Sequence, residues 1–159
     1  MRFRTVTVAA MLAASAVIVP ATSAAAAEET SPEVAWVNDN VIVTGSDPDT
    51  AYIQAKYSCE GEGVHLWTSV KQGPDITEEN TTSDFAVSWY ETPEGPVPTC
   101  DGKTHVTRFA VSLADGWEPL VSGQAWVQFV FFYVNTEGVL TRAADVGWAT
   151  VHAPAGIEP

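Results

Sequence analysis

Two cysteines, three histidines and twenty carboxylates are the groups in this 159-residue chain that could carry chemistry. Their spacing argues against most of it. His65, His105 and His152 fall on different expected strands. None has the His-x-His, HExxH or CxxC neighbours that place metal ligands together on one element, so no metal or other cofactor is expected. No serine occupies a G-x-S-x-G turn. Acid pairs for glycoside hydrolysis must face each other across a cleft at a set separation. The carboxylates here cluster instead in turns, at Asp47, Asp49, Glu60, Glu62, Asp75, Glu78, Glu79, Asp101 and Asp115. They read as solvated turn residues, and neither Ser46–Asp49 nor Glu60–Glu62 has the ligand order of an EF-hand. Cys59 and Cys100 would be nucleophiles only as free thiols. In an exported chain they pair, and closing a loop of about 40 residues contributes roughly 3–4 kcal/mol. The chain is therefore not read as an enzyme.

Binding chemistry is better represented. Six tryptophans stand in the chain, at 36, 67, 89, 117, 126 and 148. Strand parity turns Trp67 and Trp126 away from the face assigned to the core. Exposed indoles on a flat sheet hold sugars or protein partners, which makes Trp67, Trp126 and Trp89 candidate binding residues. The plainer reading is that a second layer covers them. A second candidate is the segment Glu91–Thr99, ETPEGPVPT, with Pro93, Pro96 and Pro98. Proline-braced loops lose little entropy on binding, so this segment, with Pro96 near its middle, suits a secreted protein inhibitor.

The elements that would position these groups are strands. Gln124–Val134, QAWVQFVFFYV, is the most apolar run after the N-terminal segment. Ala125, Val127, Phe129, Phe131 and Tyr133 share one face; Trp126, Val130, Phe132 and Val134 share the other, broken only by Gln128. Such a strand is a covered centre or has an adhesive outer face, and the core reading is preferred. Thr50–Cys59 alternates Ala51, Ile53, Ala55 and Tyr57 against polar positions. Val64–Gln72 alternates likewise and reads as its hairpin partner, with Cys59 at the tip. Shorter strands are expected at Val34–Val37, Val41–Thr44, Asp84–Tyr90, Thr104–Leu113, Val139–Thr141 and Val146–His152, separated by Gly/Pro/Asn/Asp turns. Gly73–Ser83 is a polar surface loop. No helical period appears in this part of the chain.

Short strands and turn signals at these intervals define an all-β chain, an antiparallel immunoglobulin-like β-sandwich of six to eight strands with one disulfide. The true immunoglobulin fingerprint is missing: Trp67 follows Cys59 too closely, and Pro98 stands where a tyrosine corner needs tyrosine. Cys59–Cys100 is thus expected to clip strand ends, not to cross the core. The segments Tyr57-Ser58-Cys59, Val64–Gly73, Cys100–His105 and Gly123–Gln128 resemble small exported β-sandwich proteins of actinobacteria. That resemblance covers most of residues 50–134 and implies fold and export; it brings no catalytic residue.

The N-terminus fits export. Arg2 and Arg4 precede the apolar run Val6–Val19, then Pro20 and the small tract Ala21–Ala27. This is the order of a secretory signal peptide cleaved after Ala27. The expected organisation is a signal peptide over 1–27, a disordered linker over 28–33, one sandwich domain over 34–152 and a loose tail over 153–159. All 20 acidic residues lie after Ala27 against five basic ones, a balance of −15. That charge repels nucleic acid and anionic lipid. The expectation is a secreted, soluble, acidic, non-catalytic binding module, monomeric and without membrane contact after cleavage, whose partner is a protein or a glycan.

Overall fold

A computed structural model of the chain describes residues 31–92, 97–135 and 137–155. The expected signal peptide and most of the linker, residues 1–30, lie outside the described residues, as do residues 93–96, 136 and 156–159. Eight strands follow in order: β1 (Glu33–Val37), β2 (Asn40–Thr44), β3 (Asp47–Glu60), β4 (His65–Gln72), β5 (Ser88–Glu91), β6 (Asp101–Leu113), β7 (Gly123–Val134) and β8 (Leu140–His152). One 3-10 turn, Ser83–Phe85, interrupts them. None of the described residues forms a helix long and apolar enough to cross a membrane.

The all-β class and the disulfide stand as read from the sequence, but two packed sheets do not. The strands form one sheet in the order β3-β2-β8-β7-β4-β5-β6, and β6 pairs again with β3, closing a seven-stranded barrel. β1 lies on the same edge of β3 as β2, farther along, with Val37 opposite Ala55. Closure removes the free edges that a sandwich would have to protect. Two seams are narrow. β2 meets β8 in parallel over Asn40–Ile42, and β5 meets β6 only through Tyr90↔Leu113 and Glu91↔Ser112.

The expected β3–β4 hairpin is also corrected. β3 pairs with β6 from Thr50↔Ser112 to Glu60↔Asp101, while β4 lies between β5 and β7. Gly61 and Gly63, both at positive φ, carry the chain from one wall to the other. Alternation identifies which face of a strand is buried but not which strand lies beside it. The region expected as two pieces at its end, Val139–Thr141 and Val146–His152, is the single strand β8. It keeps its ladder because Ala143, Asp145 and Gly147 face β7 continuously.

Side chains fill the barrel in two clusters. Ile53, Val70, Tyr90, Val111, Leu120, Val127 and Val151 form one. Tyr57, Leu66, Phe109, Phe129, Phe131 and Cys59 form the other. Phe129 and Phe131 meet edge to face at 5.4 Å, and Tyr57 lies 5.3 Å from Phe131. The Tyr90 hydroxyl donates to Pro48 O at 2.5 Å and accepts from Leu120 N–H at 3.3 Å. Burial pushes its phenol above the usual range, with Asp49 and Asp47 adding to the rise. The expected tail is tied down at its start, where Ala153 N–H donates to Ser122 Oγ.

Candidate functional site: the outer face of β4, β7 and β8

Strand register gathers the tryptophans. Trp89 on β5 lies opposite Lys71 on β4, Lys71 opposite Trp126 on β7, and Trp126 opposite Trp148 on β8. At about 4.8 Å between strands this transverse row spans about 14 Å. Trp117 meets Trp89 edge-on at 5.6 Å, and Trp148 meets Trp126 the same way at 5.3 Å. Trp67 lies four residues back along β4 on the same face, with Lys71 Nζ 5.6 Å from its ring centroid. Trp67, Trp89 and Trp126 thus adjoin one lysine on the outside of the barrel, and Trp117 and Trp148 extend the cluster through Trp89 and Trp126.

Sequence parity was right that Trp67 and Trp126 point outward. Outward is not exposed, however. Trp126 is 7% exposed and Val130 is buried, while Trp67 and Phe132 are half-buried. Among the described residues no second sheet covers them. The Gly73–Ser83 loop folds back onto Lys71, 5% exposed, whose ammonium donates to Thr81 O at 2.6 Å and to Gln128 Oε1 at 2.7 Å. Ser69 Oγ donates to the same Gln128 oxygen, and Trp67 Nε1–H to Glu91 Oε2 at 3.4 Å. Burial pushes the Lys71 ammonium below the usual lysine range, with the Glu91 carboxylate opposing the shift. Lys71 is sealed under the loop and fastens it. Trp89 and Trp126 keep buried indole N–H groups that meet no acceptor among the described residues.

The open part of this face lies along β7 and β8. Trp148 is 39% exposed, Val146 48%, Val134 60% and Leu140 68%. Ala144 is exposed between them and Arg142 is the strip's one formal charge. None of the outward positions on β4 (His65, Trp67, Ser69, Lys71) or β7 (Gln124 to Val134, even positions) is acidic, nor is any on β8 (Leu140 to His152, even positions). The outward positions of β6, from Gly102 to Ser112, carry no acid either, since the carboxylates sit mostly in turns. Trp148 and Val146 also line a crevice of about 70 Å³ with Val37, Asn38, Asp39 and Asp145. There Asp145 Oδ2 accepts from Val37 N–H at 2.8 Å, across the unpaired gap between β8 and the end of β1.

The other expected residues lie elsewhere. Cys59 and Cys100 are bonded, joining the end of β3 to the residue before β6, as a clip between strand ends. Pro96 lies outside the described residues. What is described of its loop is anchored at both stems. Thr92 N–H donates to Thr68 O, and Thr68 N–H to Thr92 Oγ1. Pro98 is buried, and Thr99 N–H donates to the Tyr57 hydroxyl at 3.2 Å. Val97 between them is 92% exposed. The histidines are dispersed: His105 bonds Asp101 at 2.7 Å, and His152 bonds Asn40 at 2.8 Å. Among the described residues no three His, Cys, Asp or Glu side chains converge as a metal site would require.

Trp148, Val146 and Leu140 are the residues of this face that sequence reasoning missed. Their signal was present as alternation on β8, but it becomes a surface only when β8 is laid beside β7. No family model, curated protein or solved structure matches this chain.

Proposed function

We propose that this is a secreted, non-catalytic interaction module, exported by the signal peptide of residues 1–27, that holds a protein or glycan partner on the outer face of β7 and β8. One observation carries the reading: Val134, Leu140, Val146 and Trp148 form an exposed apolar strip along the outer face of β7 and β8. Contiguous apolar surface left in water marks an interaction site more often than isolated residues do. The disulfide accords with an oxidising, extracellular setting. The test is binding of the mature protein to immobilised glycans and to proteins of the culture medium, compared with Trp148→Ala. Saturable binding lost in the variant supports the reading; binding that Trp148→Ala leaves intact rejects it. N-terminal sequencing of exported protein should begin at Glu28.

A second reading, an inhibitor presenting the Glu91–Thr99 loop, rests on Val97. A 92% exposed aliphatic side chain beside a buried proline and a disulfide-held stem is poised to enter a partner's pocket. Screening secreted proteases against wild type and Val97→Asp tests it, since inhibition must weaken in the variant.

A further inference from the structure

We propose that Lys71 and Gln128 become joined in the folded protein by an isopeptide bond between Lys71 Nζ and Gln128 Cδ, with release of ammonia. The bond does not depend on what occupies the β7–β8 strip. Three side chains flank the reacting atoms on the outside of the sheet. Ser69 on β4 lies opposite Gln128 on β7 and opposite Glu91 on β5. Lys71 stands two residues along β4 on the same face, the diagonal neighbour of both, a spacing that long side chains bridge. Its ammonium already meets Gln128 Oε1 at 2.7 Å. With a C=O bond of about 1.23 Å, Nζ then lies within about 4 Å of the amide carbon. A buried ammonium is ordinarily matched by a carboxylate. Lys71, 5% exposed, forms no ion pair among the described residues and is held by the neutral oxygens of Thr81 and Gln128. Conversion to an amide removes that buried charge.

The surroundings supply what the step requires. Burial favours the neutral amine, which is the attacking form of a lysine. Thr81 O, 2.6 Å from Nζ, can keep one N–H while the lone pair turns to Cδ. As the Nζ–Cδ bond forms, an electron pair moves onto Oε1. That oxygen already accepts from Ser69 Oγ at 3.3 Å, so the hydroxyl stabilises the developing oxyanion. Glu91 lies on the other side of Lys71, its Oε2 accepting from Trp67 Nε1–H at 3.4 Å. By a turn of its side chain the carboxylate takes the proton shed by Nζ and passes it to Gln128 Nε2. The Cδ–Nε2 bond then breaks and ammonia leaves. An amine and a carboxamide have become a substituted amide and ammonia, nothing is oxidised or reduced, and β4 is tied to β7.

The test is the intact mass of the reduced protein, followed by tryptic mapping. The expected mass falls below the sequence value by one ammonia. Trypsin should leave the chain uncut after Lys71 and release one branched peptide that joins this stretch to the one carrying Gln128. Lys71→Arg and Gln128→Ala should each restore the full mass and lower the thermal midpoint. Glu91→Gln keeps the size of the side chain without its charge, and should retain the ammonia in most molecules. Wild-type protein at full mass, cut normally after Lys71, overturns the proposal without any variant having to fold. Loss of ammonia that persists in Lys71→Arg overturns it too, since the loss then arises elsewhere. An equally complete cross-link in Glu91→Gln overturns the part given to that carboxylate.

Discussion

Replacing both Cys59 and Cys100 with alanine removes a cross-link spanning 41 residues in sequence. The bond constrains the unfolded chain, and the closure relation for a loop of this size gives about 4 kcal/mol at 25 °C. Cys59 is also buried among Tyr57, Leu66 and Phe131, so trimming its sulfur adds about 1 kcal/mol of lost packing. The sum of about 5 kcal/mol is a large part of the roughly 5–15 kcal/mol typical of a whole domain. An unfolding entropy of about 2 cal/mol/K per residue, over about 130 residues, converts it to a fall in Tm of roughly 15–20 °C. Urea unfolding followed by tryptophan fluorescence is the assay, on the variant and on wild type with reductant. The m-value should rise because the uncross-linked denatured state exposes more surface. A loss below about 1 kcal/mol would refute the reasoning and place the loop's order in the β3–β6 ladder alone.

Three further outcomes follow from particular contacts. Gly73→Ala sets a Cβ 2.7 Å from Phe85 O and 3.0 Å from Val87 N, both backbone, and should cost about 1–3 kcal/mol in urea unfolding. Lys71→Met tests the buried ammonium, with both chains carrying Gln128→Ala so that no cross-link removes it. Because the folded pKa lies below 10.5, the unfolded chain binds more protons between the two values, and the stability of the Lys71 chain should rise with pH there relative to Lys71→Met. Parallel urea midpoints from pH 7 towards pH 10 cancel the contribution of Tyr90, and identical slopes for the two proteins would contradict the assignment. Asp101 is held down to about 2 by hydrogen bonds from His105 and the Lys103 amide. Its contribution is present above its ordinary carboxylate value and lost as pH falls towards 2, so Asp101→Asn should flatten that part of the acid-unfolding curve.

The site joins two kinds of surface with different tolerance to change. Around Lys71 the outer face is closed: the Gly73–Ser83 loop covers it, and its polar atoms are engaged with Thr81, Gln128 and Ser69. Towards Val146 and Leu140 the same sheet lies open. Substitutions in the first region should be read as changes in stability, and those in the second as changes in association.

Residue order by itself determined the local features. Alternation in Thr50–Cys59 and Gln124–Val134 marked their inward faces, and Ala51, Ile53, Ala55, Tyr57, Val127, Phe129 and Phe131 are all buried. It also named the disulfide pair, with only two cysteines to join, and the outward direction of Trp67 and Trp126. The tertiary structure decided everything that depends on which strand lies beside which. Period-two alternation is the same whether β3 pairs with β4 or with β6, so neither the barrel closure nor the Trp89–Lys71–Trp126–Trp148 row was legible in it. Exposure was hidden for the same reason: Trp126 points outward yet is buried, with Trp148 edge-on against it, while Trp148, on an outward position of β8, stays 39% exposed. Periodicity is a property of one strand, and a surface is a property of several held in register.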